Sequence, residues 1–204
     1  HRYGIHKEKD RMMRRGLWIA MAVIGVLVLV GLLIFGSFVS AQKQMVAKQE
    51  AVQEQWGNVQ AVLQRRADLI PNLVATVKGY AQHEETVFDD VDKAREALLA
   101  AHDPQGKMAA NGQLDGALGR LLAIAENYPD LKANQNFLEL QDQLEGTENR
   151  IAVERHRYNE TLRDYNTYIR QIPNNIWARM AGFQPNNNYF EASPASQNAP
   201  QVKF

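Results

Sequence analysis

Residues 137–172 read FLELQDQLEGTENRIAVERHRYNETLRDYNTYIRQI, and this stretch decides the fold. A mostly apolar seam runs through it at alternating steps of four and three residues, formed by Phe137, Gln141, Leu144, Glu148, Ile151, Arg155, Tyr158, Leu162, Tyr165, Ile169 and Ile172. A 3.5-residue repeat of this length predicts a long helix that packs lengthwise against other helices. Proline is readily accommodated in the first turn of a helix and disfavoured further along it. We therefore expect Pro129 to begin this helix and Pro173 to end it.

Residues 45–70 repeat the same alternation of four-residue and three-residue steps. Their seam consists of Met45, Gln49, Val52, Trp56, Val59, Leu63, Arg66 and Ile70. We expect a kink at Pro71, because a proline inside a helix removes one backbone hydrogen bond. Asp68 lies one turn before it, with Arg65 and Asn72 nearby, and this polar cluster predicts either helix capping around the kink or a contact site.

Two shorter helices are predicted between these long ones. One carries Val87, Val91, Ala94 and Leu98, and the other carries Leu114, Leu118, Leu121 and Ala125. The stretch HDPQGKMAANG, residues 102–112, is interpreted as the loop between them. Because short connections make sequential helices antiparallel, residues 40–182 predict an all-α, up-and-down four-helix bundle. Residues 183–204 are rich in proline and asparagine and are interpreted as an extended C-terminal tail.

Residues 17–39 form an uncharged apolar segment, LWIAMAVIGVLVLVGLLIFGSFV. A helix of this length is about 34 Å long, enough to cross a hydrocarbon core of about 30 Å. We therefore expect a transmembrane helix that contacts the lipid bilayer through residues 17–39. A cleavable signal peptide is the alternative, but its apolar region normally spans only about 7–15 residues.

The charges that flank this segment are unequal. Residues 1–16 contain six basic side chains, at Arg2, Lys7, Lys9, Arg11, Arg14 and Arg15. The positive-inside rule predicts a short cytoplasmic basic segment there and an extracytoplasmic bundle after the span. Met12 or Met13 is a candidate natural start, and Arg14 and Arg15 alone predict the same orientation.

The two seams contain charged members that need partners. An unpaired charge that faces a helical core costs several kcal/mol. Arg66 and Glu148 are therefore a candidate pair, with Arg155 as a further polar member of the later seam. The alternative is that the seams are slightly rotated and these charges lie at the solvent edge. Tyr158-Asn159 and Tyr165-Asn166 repeat at a heptad interval. This spacing fits tyrosines in the core with asparagines at the edge of the seam, and the alternative is a row of aromatic side chains that binds a ligand.

The sequence shows no recognisable pattern of an enzyme. His83-Glu84 begins like a helical zinc motif, but position 87 is valine where the second histidine would be needed. The chain contains no cysteine, which excludes thiolate sites, and its basic and acidic residues balance at 23 each. We expect no catalysis, no cofactor, no metal and, from the neutral charge, no nucleic-acid partner.

Two features point instead to protein contacts. The last residues alternate as Val202, Lys203 and Phe204, which could add as a strand to a PDZ-type groove. The alternative is a solvated tail whose Phe204 packs against its own bundle. Gly36 and Ser40 have the small-residue spacing that lets membrane helices approach closely, and they favour a homo-oligomer.

Several longer motifs resemble the LemA family of bacterial envelope proteins. They are W-x2-V-x3-L-Q-R-R-x-D-L-I-P-N-L-V at 56–74, V-K-G-Y-A-x-H-E at 77–84, E-N-Y-P-x-L-K-A at 126–133, E-x2-I-x3-R-x2-Y-N at 148–159, Y-N-x2-I at 165–169 and the closing V-x-F. The resemblance implies an N-terminal anchor, an extracytoplasmic helical bundle and no established catalytic activity. It also implies a membrane protease or a TPM-domain protein as candidate partners.

These observations predict a non-enzymatic, single-pass inner-membrane scaffold or adaptor. Its bundle would self-assemble, bind other envelope proteins, or do both. The alternative is a ligand-sensing four-helix bundle that signals through a partner membrane protein. A sensor should be stabilised by its ligand, which a scaffold would not require.

Overall fold

The structure is a computed structural model, which describes the backbone of residues 2–190 and the side chains of residues 15–190. Six helices occupy this range: α1 at Arg2–Lys78, α2 at Glu85–Ala100, α3 at Pro104–Ala125, α4 at Pro129–Lys132, α5 at Gln135–Arg170 and α6 at Asn174–Ala181. Residues 2–190 contain no strand. The all-α prediction is confirmed.

Two compact units divide the described chain. The first includes residues 2–47 together with Tyr168–Gln184, and the second includes Lys48–Thr167 together with residues 185–190. The second unit contains the candidate functional site. The first contains the apolar segment and α6.

The long seam predicts most of the buried face of α5. Its apolar members from Phe137 to Ile169 are buried, whereas Ile172, beyond the end of the helix, is 83% exposed. The earlier seam is buried at its apolar positions from Met45 to Ile70, although Trp56 is half-buried and Gln49 is exposed. On α2 the buried ring belongs to Phe88, one residue after the predicted Val87.

Two predicted helix starts were wrong. Pro129 begins the single-turn helix α4, and α5 begins after Asn134, whose Oδ1 accepts a hydrogen bond from the Phe137 backbone N–H at 3.1 Å. The predicted 102–112 loop is mostly helix, because Asp103 caps α3 by accepting from the Gly106 N–H at 2.8 Å. In both places an Asx side chain satisfies a free N–H of the first turn, and this determines where the helix begins.

Pro71 lies inside α1, which continues without interruption to Lys78. A proline has no N–H, so it leaves the carbonyl of the residue four positions earlier without its helical partner. That carbonyl belongs to the buried Ala67, and Arg95 of α2 donates to it from Nε at 2.9 Å. A side chain of the neighbouring helix thus replaces the hydrogen bond that Pro71 removes.

Replacing Arg95 with methionine is therefore expected to lower the free energy of unfolding by about 1–3 kcal/mol, the cost of an unsatisfied buried acceptor. The same substitution should cost less in a Pro71→Ala background, because an alanine N–H can donate to the Ala67 carbonyl. Urea unfolding of the wild type, R95M, P71A and the double variant R95M/P71A measures the coupling energy between the two substitutions. Equal costs of R95M in both backgrounds would contradict the assignment, and K93M on the same helix is the exposed control.

Polar contacts within the second unit give the direction of neighbouring helices. Gln55 donates to Glu154 at 2.5 Å, whereas Arg66, further along α1, reaches Glu148, which comes earlier on α5. Residue numbers therefore rise along α1 as they fall along α5, so the two helices are antiparallel. Asp90 and Arg120 pair across α2 and α3 at 3.0 Å, in the half of α2 that lies away from its connection to α3.

Within residues 15–190, one helix is long and apolar enough to cross a membrane, and it is α1. Its apolar window is not covered by other described residues. Side chains from Leu17 to Phe35 are exposed throughout, as expected for a surface that faces lipid rather than protein. The segment fits membrane anchoring.

Candidate functional site

A buried arginine on α1 is the centre of the most extensive polar network that the structure describes. Arg66 Nη1 donates to Asn111 Oδ1 at 2.8 Å and to Glu148 Oε2 at 2.5 Å. Its Nη2 donates to Asp115 Oδ1 at 2.5 Å. Asn111 also donates from Nδ2 to Asp115 Oδ2 at 3.3 Å. One guanidinium therefore joins α1 to α3 and α5, which fits its rigid fork of donors.

Burial is distributed unevenly in this network. The Arg66 side chain is 6% exposed, whereas those of Asp115 and Glu148 are 44% and 46% exposed. The cation has thus lost most of its water, and the two anions keep part of theirs. The structure brings the predicted Arg66–Glu148 pair together, and it adds Asn111 and Asp115, which the sequence analysis did not identify.

A cleft of about 340 Å³ opens beside the network. Its charged wall consists of Arg66, Asp115, Glu145 and Glu148, and its apolar wall includes Leu118 and Leu144. One cation and three carboxylates leave the charged wall with a net negative charge. Such a cleft can hold a polar or cationic group against the carboxylates while apolar atoms contact the leucines.

Arg155, the other predicted polar member, lies half-buried further along α5. Burial lowers the pKa of Arg155, while the negative charges of Glu148 and Asp115 raise it by a smaller amount. Its guanidinium carbon lies 5.6 Å from the ring centroid of Phe190. Arg155 therefore lies between the carboxylates and the aromatic cluster described next.

The two Tyr-Asn pairs of α5 hold the chain that follows α6. Asn159 donates from Nδ2 to the Phe190 carbonyl at 2.8 Å and accepts from the Phe190 N–H at 2.8 Å. Asn166 makes the same pair of bonds with the backbone of Asn186, at 2.6 and 2.9 Å. Each amide thus satisfies both backbone groups of one residue, and we call residues 186–190 the clamped segment.

An aromatic cluster anchors the end of the clamped segment. Phe190 is buried, and its ring centroid lies 5.8 Å from that of Trp56 and 5.0 Å from that of Tyr158. Centroid distances of 4.5–7 Å are typical of favourable aromatic contacts. The heptad interval of the Tyr-Asn pairs therefore reflects both core tyrosines and a binding surface for the protein's own backbone.

Burial raises the pKa of Tyr158, and Tyr189 acts in the same direction. Burial likewise raises the pKa of Tyr165. Unfolded tyrosine titrates near pH 10, so this stabilising contribution is fully present below about pH 10 and is lost as pH rises through the folded pKa. Thermal unfolding from pH 8 to 11 should show a steeper alkaline loss in the wild type than in Y158F, and Y158F/Y165F should be flatter still. An unchanged slope in Y158F would contradict this.

The predicted kink and cap residues have different positions in the structure. Asp68 lies in the interior of α1, where it accepts from Gln64 at 2.8 Å, so neither it nor Pro71 caps a helix end. Pro129 begins α4, as noted above. Pro173 follows the end of α5 by three residues and immediately precedes α6. Val202 and Phe204 lie outside the described residues.

No group of three or more His, Asp or Glu side chains that could hold a metal ion occurs in the part of the chain whose side chains are described. His83 and Glu84 precede α2 and form no such group. The described residues contain instead a buried inter-helix network, an adjoining cleft and a clamped segment.

Comparison with known protein families identifies the family of this chain. The model of the LemA family matches residues 55–204, a range that contains Arg66, both Tyr-Asn pairs and the clamped segment. The chain belongs to the LemA family. The resemblance carried by the sequence motifs is thereby confirmed.

Curated relatives extend this LemA assignment. Magnetosome protein MamQ 2 of Paramagnetospirillum magneticum is 28% identical over 93% of this chain and 78% of its own length. Magnetosome protein MamQ of Magnetospirillum gryphiswaldense is 28% identical over 96% of this chain and 82% of its own length. Protein LemA of Metamycoplasma hominis is 23% identical over 65% of this chain and 61% of its own length. The names of these relatives state no catalytic activity.

Proposed function

We propose that this LemA-family chain is a non-enzymatic, single-pass scaffold or adaptor of the bacterial inner membrane. The observation that carries the proposal is the continuity of α1, which includes the apolar segment 17–39 and continues into the seam that packs against α5. The anchor and the helical part are thus one element. In this proposal the N-terminus is cytoplasmic and residues 40–182 form an extracytoplasmic, up-and-down four-helix bundle.

The contacts of the second unit support the bundle. The Asp90–Arg120 pair between α2 and α3 is what a short connection between sequential helices produces, and antiparallel pairing of α1 with α5 fits the first and last long helices of an up-and-down bundle. The polar side chains of the interior join helices to one another: Arg66 joins three helices, and Lys107 donates to the Leu98 carbonyl at 2.7 Å. Burial lowers the pKa of Lys107. Such an interior suits a stable platform that presents its surface to other proteins.

Self-association is the first part of the proposal to test. Light scattering of the detergent-extracted full-length protein should give a defined mass of more than one chain. Gly36→Ile should reduce this mass, because Gly36 belongs to the small-residue spacing with Ser40, and Gly25→Ile is the matched control. A Cβ at either glycine meets no atom within 4 Å, so neither change should disturb the monomer. A monomeric full-length protein that also forms no cross-links in cells would contradict self-association and leave an adaptor that binds other envelope proteins.

Candidate partners are a membrane protease of the envelope or a TPM-domain protein, and no nucleic-acid partner is proposed. Val202 and Phe204 are the residues proposed to bind a partner through strand addition. Deleting residues 202–204 should reduce recovery of such a partner with the tagged full-length chain. Unchanged recovery would contradict the role of these two residues and leave the scaffold proposal in place.

A second candidate function is ligand sensing, favoured by the cleft beside Arg66. The carboxylates of Asp115 and Glu148 next to leucines would suit a small cationic or amphipathic ligand. Thermal unfolding of the full-length protein in the presence of small polyamines is the test, because a bound ligand stabilises the folded state. A rise in Tm that is lost in D115N would favour the sensor, and no rise would favour the scaffold.

A further inference from the structure

The short helix α6 carries an exposed apolar stripe. Ile176 and Met180 are 52% and 69% exposed, and Ile172, just before the helix, is 83% exposed. Residues four apart on a helix lie on one face, so Ile176 and Met180 share a side. Ala178 is buried, which shows that a different side of α6 packs against the protein. The described residues do not cover the stripe.

The contact between Trp177 and Phe38 determines where this stripe lies in the first unit. The two ring centroids are 5.6 Å apart, with the rings at 71° to each other, in an edge-on arrangement. Phe38 belongs to the final turn of the apolar segment 17–39. Helix α6 therefore lies beside the point at which α1 leaves its apolar segment, and both partners belong to the same compact unit.

We propose that α6 is a second membrane contact, which lies in the lipid interface with Ile172, Ile176 and Met180 directed into it. The proposal rests on the membrane anchoring of residues 17–39 in the proposed function. If Phe38 lies at the boundary of the hydrocarbon core, Trp177 lies at the depth that tryptophan prefers. Interfacial helices immerse their apolar face by about 5–10 Å, within reach of side chains beside this boundary.

Charge and capping support the same arrangement. Arg179 is exposed in the last turn of α6, where a cation can meet lipid headgroups while its stem lies along apolar surface. Gly182 ends the helix in the left-handed conformation, with φ of 81°. The helix is therefore short, and a helix of eight residues is stabilised mainly by the surfaces that its faces pack against. A lipid surface is the one that the adjacent anchor already supplies.

Single-cysteine labelling of the full-length chain tests this, because the sequence contains no cysteine. I176C and M180C are labelled with an environment-sensitive nitrobenzoxadiazole group and reconstituted in vesicles of phosphatidylcholine and phosphatidylglycerol. V153C on α5 is the matched control, since Val153 is also apolar and 49% exposed. L27C in the apolar segment is the positive control. Circular dichroism checks that each variant is folded.

The expected result is a blue shift of emission at positions 176 and 180 relative to 153, together with quenching by nitroxides attached near the lipid headgroups. Emission at both positions equal to that of V153C would overturn the proposal. A blue shift without quenching by lipid nitroxides would also overturn it, because a second copy of the chain would then cover the stripe. Failure of the proposed anchoring is distinguishable, since the emission of L27C would then show no blue shift.

Discussion

Exchanging both carboxylates that contact Arg66 for amides, in D115N/E148Q, is expected to lower the free energy of unfolding by about 3–5 kcal/mol. The Arg66 guanidinium is buried and donates to both side chains, so the double change leaves a buried cation without an anion. The amides retain the shape and an acceptor oxygen, so the loss reports charge rather than packing. Urea unfolding of the full-length protein in detergent, followed by far-UV circular dichroism, is the measurement.

A control and a rescue make this result specific. E145Q removes a carboxylate from the same cleft that does not contact Arg66, and it should leave stability nearly unchanged. Adding Arg66→Met to the double variant should recover part of the loss, because the buried charge is then removed as well. A double variant as stable as E145Q would show that the network does not stabilise the fold.

Phe190→Ala is expected to detach the clamped segment from α5. Truncating a buried phenylalanine costs about 3 kcal/mol or more, which corresponds to about a hundredfold larger population of the detached form. The amide hydrogens of residues 186 and 190 should then exchange much faster, because both are bonded to asparagine side chains in the native state. Hydrogen exchange followed by mass spectrometry measures this directly.

The matched control is Phe137→Ala, since Phe137 is an equally buried phenylalanine elsewhere on α5. This variant should lower the free energy of global unfolding without selectively exposing residues 186–190. The double variant N159A/N166A should reproduce the local effect of F190A while it leaves the aromatic ring in place. Exchange in F190A that is no faster than in F137A would contradict the clamp.

Periodicity predicted the helices because it records which side chains must be buried together. The seam from Phe137 to Ile169 is buried at its apolar positions, and Leu114, Leu118, Leu121 and Ala125 are buried on α3. Helix starts are predicted less well, since α5 begins after Asn134 and not at Pro129, and the predicted 102–112 loop contains the Asp103 cap and the first turns of α3. Both stretches contain a proline and an Asx residue, and which of them begins a helix depends on local hydrogen bonds.

The candidate site was predicted only in part. Arg66 and Glu148 stand out because charges interrupt an apolar seam, and the Tyr-Asn pairs stand out by their heptad spacing. Asn111 and Asp115 carried no such signal, since they lie in a helix that was interpreted partly as loop. The role of Arg95 had a signal that could have been used: Pro71 requires a donor for the Ala67 carbonyl.

The sequence by itself determined the apolar segment 17–39, the all-α class and the family, because composition and period are local properties of the chain. Only the tertiary structure decided which polar groups meet. Arg66 reaches Asn111, Asp115 and Glu148 across 45 to 82 residues of chain. The contacts of Asn159 with Phe190 and of Trp177 with Phe38 likewise require the chain to return upon itself. A buried polar group needs a partner, but its partner is selected by the packing of the helices that carry them both.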